Sequence, residues 1–254
     1  MRPGHPFLDH WGPIAFAHRG GTSAAPENTM AAFQDAVDLG YTHVETDVHV
    51  TSDGVTVAFH DNDLERTCGI RGRIEETSWG VLSRARVDGR EPIPRLEEVL
   101  STWPDLRVNI DCKTTDAEGP LLDLLRSFDC LERICFGSFS DARLGRFRAH
   151  FGGRLCTSTG PREVARLVLA SRLGGLFRGD TAALAAQVPE HEGPVRVVTR
   201  RFVEACHAAG MQVHVWTVNN ALDMHRLLDL GVDGIMSDET RVLRDVMAAR
   251  GNPL

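Results

Sequence analysis

The chain has 254 residues, 42% hydrophobic and 25% charged, the composition of a globular protein and the size of one large α/β domain. No stretch reaches the roughly 18 to 20 consecutive apolar residues of a membrane-spanning helix, and the N-terminus lacks an apolar core followed by a small-residue cleavage site, so a cytoplasmic protein without an integral membrane segment is expected. With 28 basic against 35 acidic residues the net charge is −7, which leaves no overall positive field for a polyanion and argues against nucleic acid as a partner.

In chain order, extended runs fall at 14–18, 43–47, 55–60, 107–111, 133–138, 154–158, 183–188, 211–216 and 234–238. Between them an amphipathic helix repeatedly ends on glycine and leads straight into a strand, as in AVDLG-YTHVETD, AHFGG-RLCTST, ACHAAG-MQVHVW and RLLDLG-VDGIMSD. Gly40, Gly152, Gly210 and Gly231 stand where a helix stops on a left-handed residue. The run at 55–60 follows its predecessor through TSDG, a hairpin turn, so it returns antiparallel and takes no slot in a parallel sheet. Eight parallel strands with intervening helices predict an α/β TIM (β/α)8 barrel over residues 1–254. A small inserted subdomain is expected after the second strand, at about 61–92, where Arg and Gly are frequent and no helical period is present. A doubly wound open sheet competes, but no glycine-rich dinucleotide turn follows the first strand. The six cysteines form no CxxC pair and read as reduced, mostly buried thiols.

The strand HVETDVHV puts His43, Glu45, Asp47 and His49 on one face and Val44, Thr46, Val48 and Val50 on the other. The valine face suits packing on helices, which turns two carboxylates inward, where unpaired burial is costly. RVNIDCK repeats the pattern, with Asn109, Asp111 and Lys113 on one side. Carboxylates converging at a barrel mouth point to one hard divalent cation, Mg²⁺ or Ca²⁺, with open positions for water or substrate oxygens. Of the 28 basic residues 27 are arginine, so the single lysine, Lys113, marks a place where a compact ammonium is wanted, as an anion ligand. His18 and His60 end strands, and hairpin pairing is expected to bring His60 opposite about Glu45. Two histidines flanking a bound anion can serve as general base and general acid. Arg19 offers a planar fork for phosphate or carboxylate, and Trp216 a ring at the mouth for an apolar or polyol part of a substrate.

Together these stretches resemble the glycerophosphodiester phosphodiesterase family: AHRGGTSAAPENTMAAFQDAVDLGYTHVETDVHVTSDGVTVAFHDNDLERT at 17–67, NIDCK at 109–113 and HVWTVNNALDMHRLLDLGVDGIMSDE at 214–239. The resemblance implies a TIM barrel and hydrolysis of a small-molecule glycerophosphodiester to sn-glycerol 3-phosphate and an alcohol. By position it makes His18 and His60 the acid/base pair, Glu45, Asp47 and Asp111 the metal ligands, and Arg19 and Lys113 the phosphate ligands. Asp111 stands where many members carry Glu. Two other readings stay open: a relative acting on lysophospholipids or another phosphodiester, and a non-catalytic barrel that binds a phosphorylated ligand.

Overall fold

Eight strands of the computed structural model, which describes residues 4–173 and 181–254, run parallel around one axis. They are β1 (Ile14–His18), β2 (His43–Val50), β3 (Arg107–Cys112), β4 (Ile134–Gly137), β5 (Cys156–Thr157), β6 (Ala185–Pro189), β7 (Gln212–Trp216) and β8 (Gly234–Ser237). Their hydrogen-bonded order is β5-β4-β3-β2-β1-β8-β7-β6. The ring is closed between β5 and β6, where Leu184 N–H donates to Thr157 O at 3.0 Å and Thr159 N–H to Ala185 O at 2.9 Å. The fold is therefore the expected TIM barrel.

Helices follow each strand: α1 (Met30–Asp38), α2 (Leu96–Thr102), α3 (Glu118–Ser127), α4 (Asp141–Phe151), α5 (Pro161–Leu173), α6 (Arg200–Ala208), α7 (Ala221–Leu230) and α8 (Thr240–Ala249). Thr29, Ser140, Thr199 and Asn220 cap α1, α4, α6 and α7 by accepting hydrogen bonds from first-turn amides. Gly40, Gly152, Gly210 and Gly231 all adopt positive φ at helix ends. No helix among the described residues is long and apolar enough to cross a membrane.

The two faces of β2 separate as the alternation requires. Val44, Val48 and Val50 join the core between barrel and helices, beside Phe33, Leu96, Val99 and Leu121. Inside the barrel, Ile14, Phe16, Cys135, Cys156, Ala185 and Met236 pack together, and Phe7 and Leu8 from the turn Pro6–Leu8 close the N-terminal end of the strands. Five cysteines are buried, Cys68 is half-buried, and all six are free thiols.

The strand Thr56–Ala58 pairs antiparallel with β2, with Val48 opposite Ala58. That register, continued, sets His60 opposite Thr46 and not Glu45, one residue from the expected pairing. The difference arises because the turn is one residue longer than a two-residue hairpin loop: Thr51 N–H donates to Val55 O and leaves Ser52, Asp53 and Gly54 in the turn, which shifts the return strand by one. Residues 61–92 hold the short helices Glu65–Cys68 and Trp79–Leu82 and the hairpin Arg86–Val87/Glu91–Pro92. Their own apolar cluster is built from Phe59, Leu64, Ile74, Leu82, Val87 and Ile93.

Candidate active site

Parallel register sets the charged groups side by side. His18 is paired with Glu45, Glu45 with Asn109, and Asp47 with Asp111, so β1, β2 and β3 deliver one polar group each per layer to the mouth. After β1 the chain turns sharply through Arg19 (φ 54), Gly20 (φ 81) and Gly21 (φ 89). A Cβ on Gly20 would lie 2.9 Å from backbone atoms of Ala32 and Phe33, so the turn can rest on α1 only with glycine there. The left-handed backbone of Arg19, costing about 1 kcal/mol or more for a non-glycine residue, aims its amide at Glu45 Oε2 (3.2 Å) and its guanidinium at Glu27 (2.9 Å). Its Nε lies 3.1 Å from Asp47 Oδ2 at an angle that makes an ion pair without a hydrogen bond.

His18 Nδ1 is 2.6 Å from Asp238 Oδ1, and its Nε2 lies 3.7 Å from Glu45 Oε2. Burial works against a charged ring here, but the charges of Glu45 and Asp238 outweigh it and raise the His18 pKa. His60 is built the same way from a different element: Nδ1 is 2.6 Å from Asp61 Oδ1, and Asp61 is held by Arg66, which also grips Glu27. Against the opposing effect of burial, these bonds from Arg66 and His60 hold the Asp61 carboxyl down to about 2. Each histidine is thus oriented through Nδ1 by a carboxylate, which leaves Nε2 for other work.

Lys113 Nζ sits 2.7 Å from Asp47 Oδ1 and 2.7 Å from Asp111 Oδ2. Asp47 also accepts from Asn28 Nδ2 (3.0 Å), whose side-chain oxygen accepts from Thr46 Oγ1 (2.8 Å). Burial raises the Asp47 pKa, but Lys113 and Arg19 more than offset this and the carboxyl stays below its ordinary range. Glu45 is different: burial and the neighbouring charge of Asp47 push it up to about 7.

No three His, Cys, Asp or Glu side chains among the described residues converge as a metal cage, and Asp47 and Asp111 each place an oxygen on Lys113. The donor chemistry nonetheless suits a hard cation. Asp111 Oδ1 is buried with no hydrogen-bond partner, and at Glu45 the charges of His18 and Lys113 do not overcome burial and the neighbouring charge of Asp47.

All eight residues singled out in the sequence, His18, Arg19, Glu45, Asp47, His60, Asp111, Lys113 and Trp216, line a single cavity of about 670 Å³. Lys113, expected as an anion ligand, lines the cavity and also bridges two carboxylates. Trp216 is half-buried at the end of β7, and its ring meets that of Phe139 edge-on at 5.8 Å. Phe139 also lies 6.0 Å from Lys113 Nζ. The sequence reading missed the orienting residues Asp238, Asp61, Glu27, Asn28 and Arg66. Adjacency to His60 was the one available signal, for Asp61; Asp238 is 220 positions from His18 and carried none.

The model of the glycerophosphoryl diester phosphodiesterase family matches residues 18–242. The chain belongs to that family. As a member of the glycerophosphoryl diester phosphodiesterase family it is an enzyme of the phosphoric diester hydrolase class. It is 40% identical to the Mycobacterium tuberculosis "Probable glycerophosphodiester phosphodiesterase 2" over 249 residues, covering 96% of this chain and 94% of that one. A crystal structure from Silicibacter pomeroyi has the same fold, with a TM-score of 0.81 at 22% identity over 98% of this chain and 99% of that one. So has an Oleispira antarctica phosphodiesterase in complex with the product sn-glycerol-3-phosphate, with a TM-score of 0.76 at 24% identity over 93% and 97% of the two chains.

Proposed function

We propose that this enzyme hydrolyses glycerophosphodiesters to sn-glycerol 3-phosphate and an alcohol, with His18 and His60 as its acid/base pair. The observation that carries the reading is the pair itself: two histidines from different elements, each tied through Nδ1 to a carboxylate, on one cavity with Arg19 and Lys113. Binding a phosphorylated ligand needs cations but no such pair, which disfavours a non-catalytic barrel.

In this mechanism one histidine takes the proton of the glycerol 2-hydroxyl as that oxygen attacks phosphorus, and the alcohol oxygen leaves with a proton from the other. The cyclic phosphate formed is opened by water with the two roles reversed. Arg19 and Lys113 face the non-bridging oxygens, where negative charge grows in the transition state. A divalent cation, Mg²⁺ or Ca²⁺, held by Glu45, Asp47 and Asp111 would supply further positive charge at those oxygens. Asp238 and Asp61 keep the histidine rings in place, and Trp216 flanks the part of the substrate that leaves.

A second reading, a substrate that carries an acyl chain, is favoured by one feature of the cavity. Away from the residues of the mouth its wall is largely apolar, Val164, Ala165 and Val168 of α5 with Val188, Val195 and Val197, and carries only Arg172 and Glu192 as charged groups. Release of glycerol 3-phosphate from glycerophosphocholine, measured with and without EDTA, tests the first reading. Metal-dependent release that vanishes in His18→Ala is expected. No release from a folded protein supplied with Mg²⁺ or Ca²⁺ would overturn it, and full activity after exhaustive chelation would remove the cation. A lower KM for lysophosphatidylcholine than for glycerophosphocholine would decide for the second.

A further inference from the structure

Helix α5 carries three stripes, and the fold described above accounts for two. Leu167 and Ser171 are buried against the barrel. Val164, Ala165, Val168 and Arg172 face the cavity and form one side of its apolar arm. The third stripe, Arg162, Arg166, Leu169 and Leu173, follows helical spacing of four, three and four residues and points to solvent. Leu169 is 58% exposed and Leu173 76%, among the most exposed large apolar side chains of the described residues.

The charge around this stripe runs against that of the protein. Residues 141–201 hold eleven arginines and five acidic residues, a balance of +6 in a chain of net −7. Arg172 is exposed at the cavity rim, and α6, which packs along α5, begins with the exposed Arg200 and Arg201 and carries one exposed acid, Glu204. Of the nearby acids, Glu163 is turned to Arg148 in a two-point ion pair and Asp141 lies 3.9 Å from Arg162. Glu192 is exposed on the hairpin that follows β6. Arginines beside exposed leucines on one helical face complement an anionic lipid surface, with the guanidinium groups at headgroup phosphates and the leucines among the acyl chains.

We propose that the outer stripe of α5 docks this protein on an anionic lipid bilayer. The same helix walls the apolar arm, so docking on its outer face would bring the arm to the bilayer surface, from which lipid-derived phosphodiesters come. That purpose rests on the phosphodiesterase reading; the docking does not.

The test is co-sedimentation of the full chain with vesicles of phosphatidylcholine alone and of phosphatidylcholine with phosphatidylglycerol in equal parts. At low salt, binding to the anionic vesicles is expected to exceed binding to the neutral ones about tenfold or more and to fall at high salt, since each arginine near an anionic surface multiplies partitioning about fivefold. Arg162→Glu/Arg166→Glu should bring binding to the level of the neutral vesicles. Leu169→Ser/Leu173→Ser should lower it several-fold while keeping the salt dependence. Unchanged thermal unfolding of these surface variants establishes that they are folded, so binding is read whether or not any substrate is hydrolysed. Equal binding to the two vesicle types, no binding to either, or an Arg162→Glu/Arg166→Glu variant that sediments like the wild type would each overturn the proposal.

Discussion

Two levels of the same barrel treat their histidines in opposite ways. At the mouth, His18 is half-buried between Glu45 and Asp238, and their charges outweigh burial and raise its pKa. Deeper in the barrel, His43 and His214 are fully buried, and burial drives both down, His214 to about 3. The partners there are neutral: the Phe7 carbonyl and Thr42 hydroxyl for His43, Gln212 and Gln187 for His214. Residue type and inward orientation are shared, so the difference lies in what neighbouring strands and loops supply at each layer. Charge is kept where carboxylates and open solvent meet, and lost where aromatic rings close the barrel, as Phe7 and Phe16 do at 5.2 Å from His43.

The comparison breaks most visibly if activity and stability follow the wrong histidine. His18→Ala and His60→Ala are each expected to lower turnover about 10² to 10⁴-fold with little change in the urea midpoint. His43→Ala should cost about 3 kcal/mol, because it opens a cavity among Phe7, Phe16 and His10 and strands the Phe7 carbonyl. Its turnover per folded molecule should stay near wild type. A His43→Ala protein that is inactive but fully stable would place catalysis at the floor and refute the division.

Much of this was legible in the sequence. The alternation in HVETDVHV and RVNIDCK located the polar interior, because a strand that must bury one face on helices has only the other for carboxylates. Strand-to-strand register then did the rest, pairing Asp47 with Asp111 and His18 with Glu45. What was not legible depends on where distant loops meet. Asp238 comes to His18 from the opposite end of the chain, and the Arg66–Glu27 pair ties two loops that no periodicity relates. The apolar arm was hidden for another reason. Helical spacing alone does not say which stripe of the helix over 161–173 meets the barrel: in the fold Leu167 and Ser171 are enclosed, while Val164 and Val168 are half-buried, packed against the core on one side and lining the cavity on the other.

Lys113 sharpens the account of the mouth. Its ammonium fits between two carboxylate oxygens at 2.7 Å each, a point-charge geometry that a planar guanidinium cannot copy. Lys113→Arg is therefore expected to lower kcat/KM about tenfold, near 1.4 kcal/mol of transition-state stabilisation, although the charge is kept. Activity indistinguishable from wild type would mean that the charge alone matters and that the rarity of lysine in this chain is coincidence.

The smallest effect separates the two levels by pH. His214 has a folded pKa of about 3 against an ordinary value of 6.5, so between these values the unfolded chain binds a proton that the folded chain refuses. Its contribution to stability is fully present above about 6.5 and is lost as pH falls below it, by about 1.4 kcal/mol per pH unit; His43, lowered for the same reason, adds to the slope. His18 has the opposite sign. Its raised folded pKa stabilises the protein below 6.5, and that contribution disappears as pH rises through the raised value, so it partly offsets the floor. Urea midpoints measured from pH 7 down to about 5 should fall steeply for the wild type, less steeply for His214→Gln, and more steeply for His18→Ala. If His214→Gln kept the wild-type slope, the floor histidine would be titrating alike in both states, and burial would not be what keeps it neutral.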